Sequence, residues 1–513
     1  MSAAPADSQW PNAVERIGAL LTDEGLDEHV LTAARLAKVE AIRTAGDEPY
    51  PFRFERTATA AELHAAHDGL PAGTDTGLHV SVAGRLMNSR DIGALVFGVL
   101  QDHTGQIQLF VEADRLGDRF VAFGDLDSGD WVGAEGEVVT TKRGELSVRV
   151  ESFTLLAKGL RPLPEKWHGL TDVEKRHRYR YVDLIVNADA REVMRRRVET
   201  IQSIRESLLA RGYLEVETPV LHHVPSGGLA TPFVTHHDAL GLDMFLRIAL
   251  ELHLKRLIVG GADRVFEIGR VFRNEGVSPR HNPEFTMLEL YEALADYNDM
   301  ATLTEALVVE AAEKVLGTTE ITFDGRSMSL AAPWRRIDYV GSVSDATGKD
   351  WDPVMPVADA RKQAIAAGVQ SEGSWGTGRI IAEVFESVVE DSLWDPTFVL
   401  DFPEEISPLA RKHRSRPGLT ERFEVIVAGN ELANAFSELN DPVEQRRRFE
   451  TQAAARAAGD HEAHPMDEDF LRALEYGMPP TGGMGMGIDR LVMLLSDKPS
   501  IREVVLFPHM RPE

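Results

Sequence analysis

The hydrophobic pattern changes period along the chain. Up to about residue 50, Ala, Leu, Glu and Arg are abundant and the text reads mainly as helix, with Gly46 to Pro51 as its stop. Residues 51–77 are punctuated by Pro, Gly and Thr and read as a connector. From Leu78 the period becomes two. Val80 and Val82 alternate with His79, Ser81 and Ala83, and Ile107, Leu109 and Val111 alternate with Gln106, Gln108 and Phe110. Such alternation marks strands with one buried face. His103-Thr104-Gly105 and Lys142-Arg143-Gly144 are turn candidates between strand-like runs, and Val138, Val139, Leu146, Val148 and Val150 flank the second. Short strands with glycine turns, over roughly 80 residues, predict a small β-barrel with a face on which bases can stack.

Leu160-Arg161-Pro162-Leu163-Pro164 then reads as an interdomain linker. Beyond it, Ile201, Ile204, Leu208 and Leu209 recur at helical spacing, with Gly212 as a C-terminal stop, and Leu214, Val216, Thr218 and Val220 alternate as a strand. The expected organisation is a helical extension and connector over 1–77, a barrel over 78–157, a linker over 158–182 and a large α/β domain over 183–513. Within the last, about 300–395 reads as a peripheral helical insertion.

Composition narrows the function. A chain of 513 residues, 43% hydrophobic and 27% charged, suits two or three globular domains. No apolar stretch reaches the ~18 residues of a membrane span. The N-terminal text lacks the basic start and apolar stretch of a secretory signal. The absence of cysteine excludes disulfides, thiolate metal sites and cysteine nucleophiles, and a cytoplasmic location is expected. A net charge of −27 argues against a uniformly basic nucleic-acid surface. Local basic clusters remain at Lys175 to Arg180, Arg195 to Arg197 and Arg411 to Arg416; solvated faces and helix ends explain such clusters equally well.

Three segments carry candidate chemistry. The first runs from Gly212 to Leu221 and includes Pro219; alone it is any α/β element. The second runs from Val265 through Arg273 and Glu275, continues with Arg280, His281 and Phe285, and reaches Glu289. It reads as a strand carrying Arg273 and Glu275 on one face, a loop, and a returning strand from Phe285 to Leu290. An arginine fork on a rigid strand neutralises a phosphate through two oxygens at once, although a surface Arg–Glu pair on a hairpin fits the same text. The third runs from Pro479 to Arg490, with Gly482, Gly483, Gly485 and Gly487 before a helix start near Asp489. Glycines let backbone approach a ligand, and Arg490 falls near the helix start. It is neither a P-loop nor a dinucleotide-binding fingerprint.

In this order the three segments resemble the signature motifs of class II aminoacyl-tRNA synthetases. The text around Leu246–Arg256, Arg273–Gly276, His281–Met287, Asn434–Asn440 and Ala473–Gly483 is similar to the lysyl-tRNA synthetases in particular. The resemblance covers about residues 30–510. It implies an α+β fold: an N-terminal OB-fold β-barrel, and a catalytic domain with an antiparallel sheet flanked by helices. It also implies ATP, lysine and tRNA(Lys) as partners, Mg2+ as cofactor, and a homodimer whose interface includes Pro219. Arg273, Glu275 and Arg490 are the implied catalytic residues. ATP falls to these three with His281, Phe285 and Glu424, and the metal to Glu424 and Glu431. Lysine falls to Gly228, Glu251, Glu289, Tyr291, Asn434, Phe436 and Glu438, and the anticodon to Arg90, Phe97 and Gln108. The lysine set makes chemical sense by itself. A guest with two ammonium groups needs carboxylates at both ends and an apolar or aromatic wall for its stem.

Some positions depart from the family text. Thr231 stands where Arg is usual, Leu250 where Pro is, and His253 where Tyr or Phe is; Ser89 and Ala94 stand where Arg and Lys are frequent. Drift within the family explains these. A paralogue that adenylates lysine or a related amino acid for a non-tRNA acceptor is the alternative.

Overall fold

The computed structural model describes residues 26–164, 170–224, 227, 230–457 and 466–511. It forms two compact units, residues 1–169 and 170–513.

In the first unit, helices α1 (Leu26–Thr44) and α2 (Ala60–His67) precede five strands: β1 (Asp75–Asp91), β2 (Leu95–Gln101), β3 (Gln106–Glu112), β4 (Trp131–Thr140) and β5 (Leu146–Ala157). The connector expected over 51–77 thus contains α2 and the start of β1. Thr59 and Glu62 close a capping box at the head of α2. The strands close into a barrel in the order β1-β2-β3-β5-β4. The period-two reading holds residue by residue. Val80, Val82, Ile107, Leu109 and Val111 enter the barrel core, while Gln106, Gln108 and Phe110 face outward. At the turn between β2 and β3, the Asp102 carboxylate accepts from the Thr104 and Gly105 N–H groups.

The second unit is built on an eight-stranded sheet. In chain order come α3 (Ala188–Ala210), β6 (Leu214–Glu215), β7 (Leu221–His222), β8 (Val234–His237), β9 (Leu242–Leu246), α4 (Glu251–Val259), β10 (Arg264–Phe272), β11 (Glu284–Ala293) and α5 (Tyr297–Leu316). Then follow β12 (Glu320–Phe323), β13 (Arg326–Ser329), β14 (Arg335–Asp338), β15 (Thr397–Leu400), β16 (Arg422–Val427), β17 (Asn430–Ser437), β18 (Thr481–Gly487) and α6 (Ile488–Ser496). The sheet order is β14-β15-β16-β17-β18-β11-β10-β6. It is antiparallel except at its two edges, where β14 runs parallel to β15 and β6 to β10. Helices α3, α5 and α6 cover one face in a single core with Phe266, Leu288, Leu290, Met484 and Met486.

Several expectations change here. The strand read over 214–220 shrinks to β6. Beyond it the chain makes single bonds: Val216 N–H donates to the Phe266 carbonyl, and Thr218 N–H and Oγ1 to the Glu267 carboxylate. Pro219 has no N–H with which to continue a ladder. The strand carrying motif 2 ends at Phe272, so Arg273 and Glu275 lie in the loop after it; the Arg273 N–H makes one last in-register bond to the Pro283 carbonyl, and Pro283 has no N–H to return it. Helices Val173–Arg178 and Arg180–Val186 fall in and beyond the segment read as linker. Residues 300–395 divide between α5 in the main core, β14 in the main sheet, and helices Tyr339–Thr347, Val357–Ala366 and Thr377–Val388 around a core of their own. Periodicity alone did not separate α5 from the helices after it, because all are amphipathic.

Candidate functional site

The site is a cleft of about 440 Å³ on the sheet face opposite α3, α5 and α6. Strand register explains its composition. Glu267, Glu289, Gly485, Asn434 and Glu424 pair directly across five adjacent strands, and Tyr291, Gly483, Phe436 and Arg422 form the neighbouring row. Residues two apart on a strand share a face. Phe285, Met287, Glu289 and Tyr291 therefore line one side of the sheet, while Thr286, Leu288 and Leu290 are buried on the other. The Gly–Met alternation of β18 works the same way. Met484 and Met486 fill the core, and Gly483, Gly485 and Gly487 leave the cleft floor bare. Phe285 to Tyr291 spans roughly 20 Å at ~3.4 Å per residue, enough for a nucleotide at one end and an amino acid at the other.

The end near Tyr291 is acidic and aromatic. Glu251, Glu289 and Glu438 are buried, with Tyr291 and Phe436 as walls. Glu289 accepts from the Leu250 N–H at 3.0 Å and from the Tyr291 hydroxyl at 3.3 Å. Burial, with the Glu251 charge beside it, raises its pKa to about 8. Glu438 is pushed well above the carboxylate range, mainly by burial. Lys255, fully buried on α4, lies 2.5 Å from Glu251 and forms an ion pair with Glu438. Ionised together, the three carboxylates would carry two negative charges that Lys255 does not match; the raised pKa values of Glu289 and Glu438 answer this with held protons, which a cation in the cleft can replace.

The opposite end is basic and ringed. The Arg273 guanidinium stands 5.1 Å from the centre of the Phe285 ring, and burial holds its pKa below the usual guanidinium value. Arg490 opens α6 and donates to the Glu431 carbonyl, with the Glu431 carboxylate at 3.5 Å. Its helix is fixed by Asp489, which accepts from Arg197 Nη1 of α3 and from the Thr286 N–H of β11. This buried carboxylate thus ties the second and third sequence motifs to α3. Glu275, Arg280 and His281 sit on the exposed loop, with His281 Nδ1 3.0 Å from Ser278 Oγ. Burial, and then the Arg490 charge, lowers the His281 pKa.

Glu424 and Glu431 come from adjacent strands, not from one face of one element as seven-residue spacing alone suggests. Burial, followed by the Glu431 charge, raises the Glu424 pKa to about 7, against Arg422, which bonds Glu424 at 2.6 Å. Two oxygen donors that repel each other over a cleft fit a hard divalent cation. Among the described residues no group of three or more His, Cys, Asp or Glu could hold a metal without further ligands.

The cleft therefore brings together Arg273, Glu275, His281, Phe285, Glu289, Tyr291, Glu251, Glu424, Glu431, Asn434, Phe436, Glu438 and Arg490. Gly228 lies outside the described residues. Pro219 is exposed, and its carbonyl faces His222 Nε2 at 3.0 Å. Arg90, Phe97 and Gln108 belong to the barrel. Phe97 faces outward, paired with Arg90 on β1 and stacked on Phe110 at 5.2 Å and 11°; Gln108 accepts from Ser147 Oγ at 2.9 Å. Phe97 is thus not part of the barrel core. The departures at Thr231 and His253 fall outside the cleft lining among the described residues. His253 instead packs against His222 with the rings tilted at 39°, and burial lowers its pKa to about 4.

Sequence reading missed Arg422 and Lys255. Arg422 bonds Asn434 and Glu424, and its i,i+2 spacing from Glu424 was the available signal. The signal for Lys255 was the i,i+4 spacing from Glu251.

Residues 172–511 match the family described as tRNA synthetases class II (D, K and N), and residues 80–156 match the OB-fold nucleic acid binding domain. A lysine–tRNA ligase of Moorella thermoacetica is 53% identical over 487 residues, covering 95% of this chain and 99% of that protein. One of Synechococcus sp. (strain CC9311) is 54% identical over 485 residues, 94% and 99% of the two chains. One of Carboxydothermus hydrogenoformans is 53% identical over 483 residues, 94% and 98%.

Proposed function

Because the chain belongs to the class II tRNA synthetases, among the lysine–tRNA ligases, we propose that it activates lysine with ATP in this cleft and transfers it to tRNA(Lys). The observation that carries the substrate choice is the buried trio Glu251, Glu289 and Glu438 with aromatic walls, at the far end from Arg273 and Arg490.

The lysine carboxylate attacks the α-phosphate in line, pyrophosphate leaves, and the lysyl-adenylate remains. The 3′-hydroxyl of the terminal ribose of tRNA then attacks the carbonyl carbon of the mixed anhydride, the acyl–phosphate bond breaks, and AMP leaves with the hydroxyl proton released. This route needs no protein nucleophile; the chain's residues position reactants and neutralise charge. Arg273 meets the α-phosphate and the substrate carboxylate, and Arg490 the γ-phosphate. Phe285 stacks on adenine, and Glu275 and His281 hold the nucleotide from the loop. Glu251, Glu289 and Glu438 take the two ammonium groups, while Tyr291, Asn434 and Phe436 enclose the stem. Gly228 is assigned to the same pocket by family likeness. Glu424 and Glu431 would hold Mg2+, which supplies charge neutralisation on the phosphates when bound.

On the barrel, Phe97 offers a stacking face for an unpaired anticodon base, with Arg90 and Gln108 beside it. A homodimer through Pro219 is supported by exposed Leu214, Val220 and Leu221 in the same segment. A cytoplasmic location is supported by the lack of cysteine; among the described residues no helix is long and apolar enough to cross a membrane.

The test is aminoacylation with labelled lysine, ATP, Mg2+ and tRNA(Lys). Label should appear on the tRNA as an alkali-labile ester. Lysine-dependent pyrophosphate exchange with no labelled tRNA would restrict the function to adenylation.

A further inference from the structure

Lys255 is a buried charge beside the pocket that the mechanism above does not use. Its ammonium is fully buried yet does not line the cleft; it sits behind the wall, between Glu251 and Glu438. The rings of Phe436, Tyr291 and Phe470 surround it at 5.3, 5.8 and 6.0 Å. Glu438, itself 1% exposed, presents its other oxygen, Oε1, to the cleft floor beside Gly483. Neither Glu438 oxygen has a hydrogen-bond partner of good geometry, so the Lys255 ion pair is its principal internal compensation.

We propose that Lys255 is a positioning residue for lysine recognition: from behind the cleft wall it orients Glu251 and Glu438 and reduces the three pocket carboxylates to the net charge of a doubly aminated guest. This rests on the lysine pocket proposed above. With lysine bound and all three carboxylates ionised, three less one internal ammonium leave two negative charges, one for each ammonium of the guest. Burial raises the Glu438 pKa even with Lys255 in place, and the Lys255 charge is what opposes that rise; with Lys255 neutral the Glu438 proton would be held more tightly still. Lysine would then displace that proton at a greater cost than in the wild type. Lys255 itself stays charged. Burial acts against its charge, but Glu251 and Glu438 outweigh it and raise its pKa. The titratable groups facing it are Glu251 on its own helix, Glu289 and Tyr291 on β11, and Glu438 beyond β17; the helix Glu468–Glu475 presents the Phe470 ring.

The experiment is pyrophosphate exchange by the full chain, comparing wild type, Lys255→Met and Lys255→Arg at pH values from 6.5 to 8.5. Methionine keeps the stem and removes the charge. Expected for Lys255→Met is a lysine KM about 10- to 100-fold above wild type at pH 6.5, the worth of one charged hydrogen bond. The variant-to-wild-type ratio should shrink toward pH 8.5, and the ATP KM should stay within about twofold. The ratio removes the Glu289 titration, which both proteins share. Lys255→Arg keeps the charge and should restore a ratio that does not change with pH. A pH-independent ratio in Lys255→Met, or lysine and ATP KM rising together, overturns the proposal and leaves a structural role. If Lys255→Met shows no cooperative melting, Lys255→Arg decides, and its failure to bind lysine at every pH overturns the proposal. Wild type without lysine-dependent exchange overturns the pocket reading itself, and this inference with it.

Discussion

Gly483 offers the sharpest structural test of the pocket. A Cβ built there overlaps Glu438 Oε1 and falls 2.5 Å from Tyr291 Cε1 and 2.8 Å from its Cδ1. Both neighbours are buried, so neither can swing into solvent. Gly483→Ala must therefore displace the Glu438 carboxylate or the Tyr291 ring. Overpacking of this kind costs about 1–3 kcal/mol of stability, which lowers the melting temperature by roughly 2–6 °C in a domain of this size. A displaced carboxylate also forfeits a charged hydrogen bond to substrate, about 1.5–3 kcal/mol, or roughly 10- to 100-fold in kcat/KM for lysine. The ATP KM should hardly move, because Arg273, Phe285 and Arg490 lie at the other end. Gly485 is the internal control: its Cβ meets Met287 Cε at 3.5 Å and Glu289 Cγ at 3.6 Å, both ordinary contacts. Gly485→Ala should melt within about 1 °C of wild type, since neither neighbour has to move. The assays are thermal melting and pyrophosphate exchange against lysine and ATP. Wild-type lysine kinetics in Gly483→Ala would refute the placement of Glu438 and Tyr291 around the substrate stem.

Three further outcomes follow from the same geometry. Arg273→Ala and Arg490→Ala should each lose about 100-fold or more in pyrophosphate exchange with the melting temperature nearly unchanged, as expected of groups that stabilise developing charge; near-normal exchange contradicts their assignment. Phe97→Ala should leave lysine-dependent exchange intact and lower kcat/KM for tRNA charging roughly 5- to 100-fold, the worth of one base–aromatic stack, read by comparing the two assays. Glu289→Gln tests the pH linkage. With its pKa raised to about 8, Glu289 keeps a proton in the folded chain that the unfolded chain releases above ~4.5. Its contribution is therefore full at low pH and is lost as pH rises through 8. Glu289→Gln removes that loss, so its melting temperature should gain on wild type between pH 6.5 and 8 while lysine-dependent exchange falls; a difference between the two that does not change over that range would contradict the raised pKa.

Much of this was legible in the sequence, and the exceptions have physical causes. The barrel could be read because its strands have one wet face, and Val80, Ile107 and Leu109 mark it at period two. The cleft could be read because its residues recur in ordered motifs, and strand pairing then sets Glu289, Gly485, Asn434 and Glu424 in one row. The end of β10 was not legible. Arg273 continues the strand-like text, and its N–H still donates in register to the Pro283 carbonyl; the ladder stops there because Pro283 has no N–H to return the bond. Nor was the role of α5, since its apolar stripe looks the same whether it packs on the main sheet or on a separate helical layer. Lys255 was hidden because a lysine four residues after a glutamate is ordinary on a solvated helix; full burial between two carboxylates is a fact of packing.

The central claim is that an acidic, aromatic-walled pocket selects a diamino acid for adenylation on a class II sheet. Pyrophosphate exchange across all twenty amino acids, with tRNA(Lys) charging by the best of them, tests it directly. The account predicts exchange with lysine well above every other amino acid and transfer of that lysine to tRNA. Exchange driven by a different amino acid, or none with lysine, would contradict it.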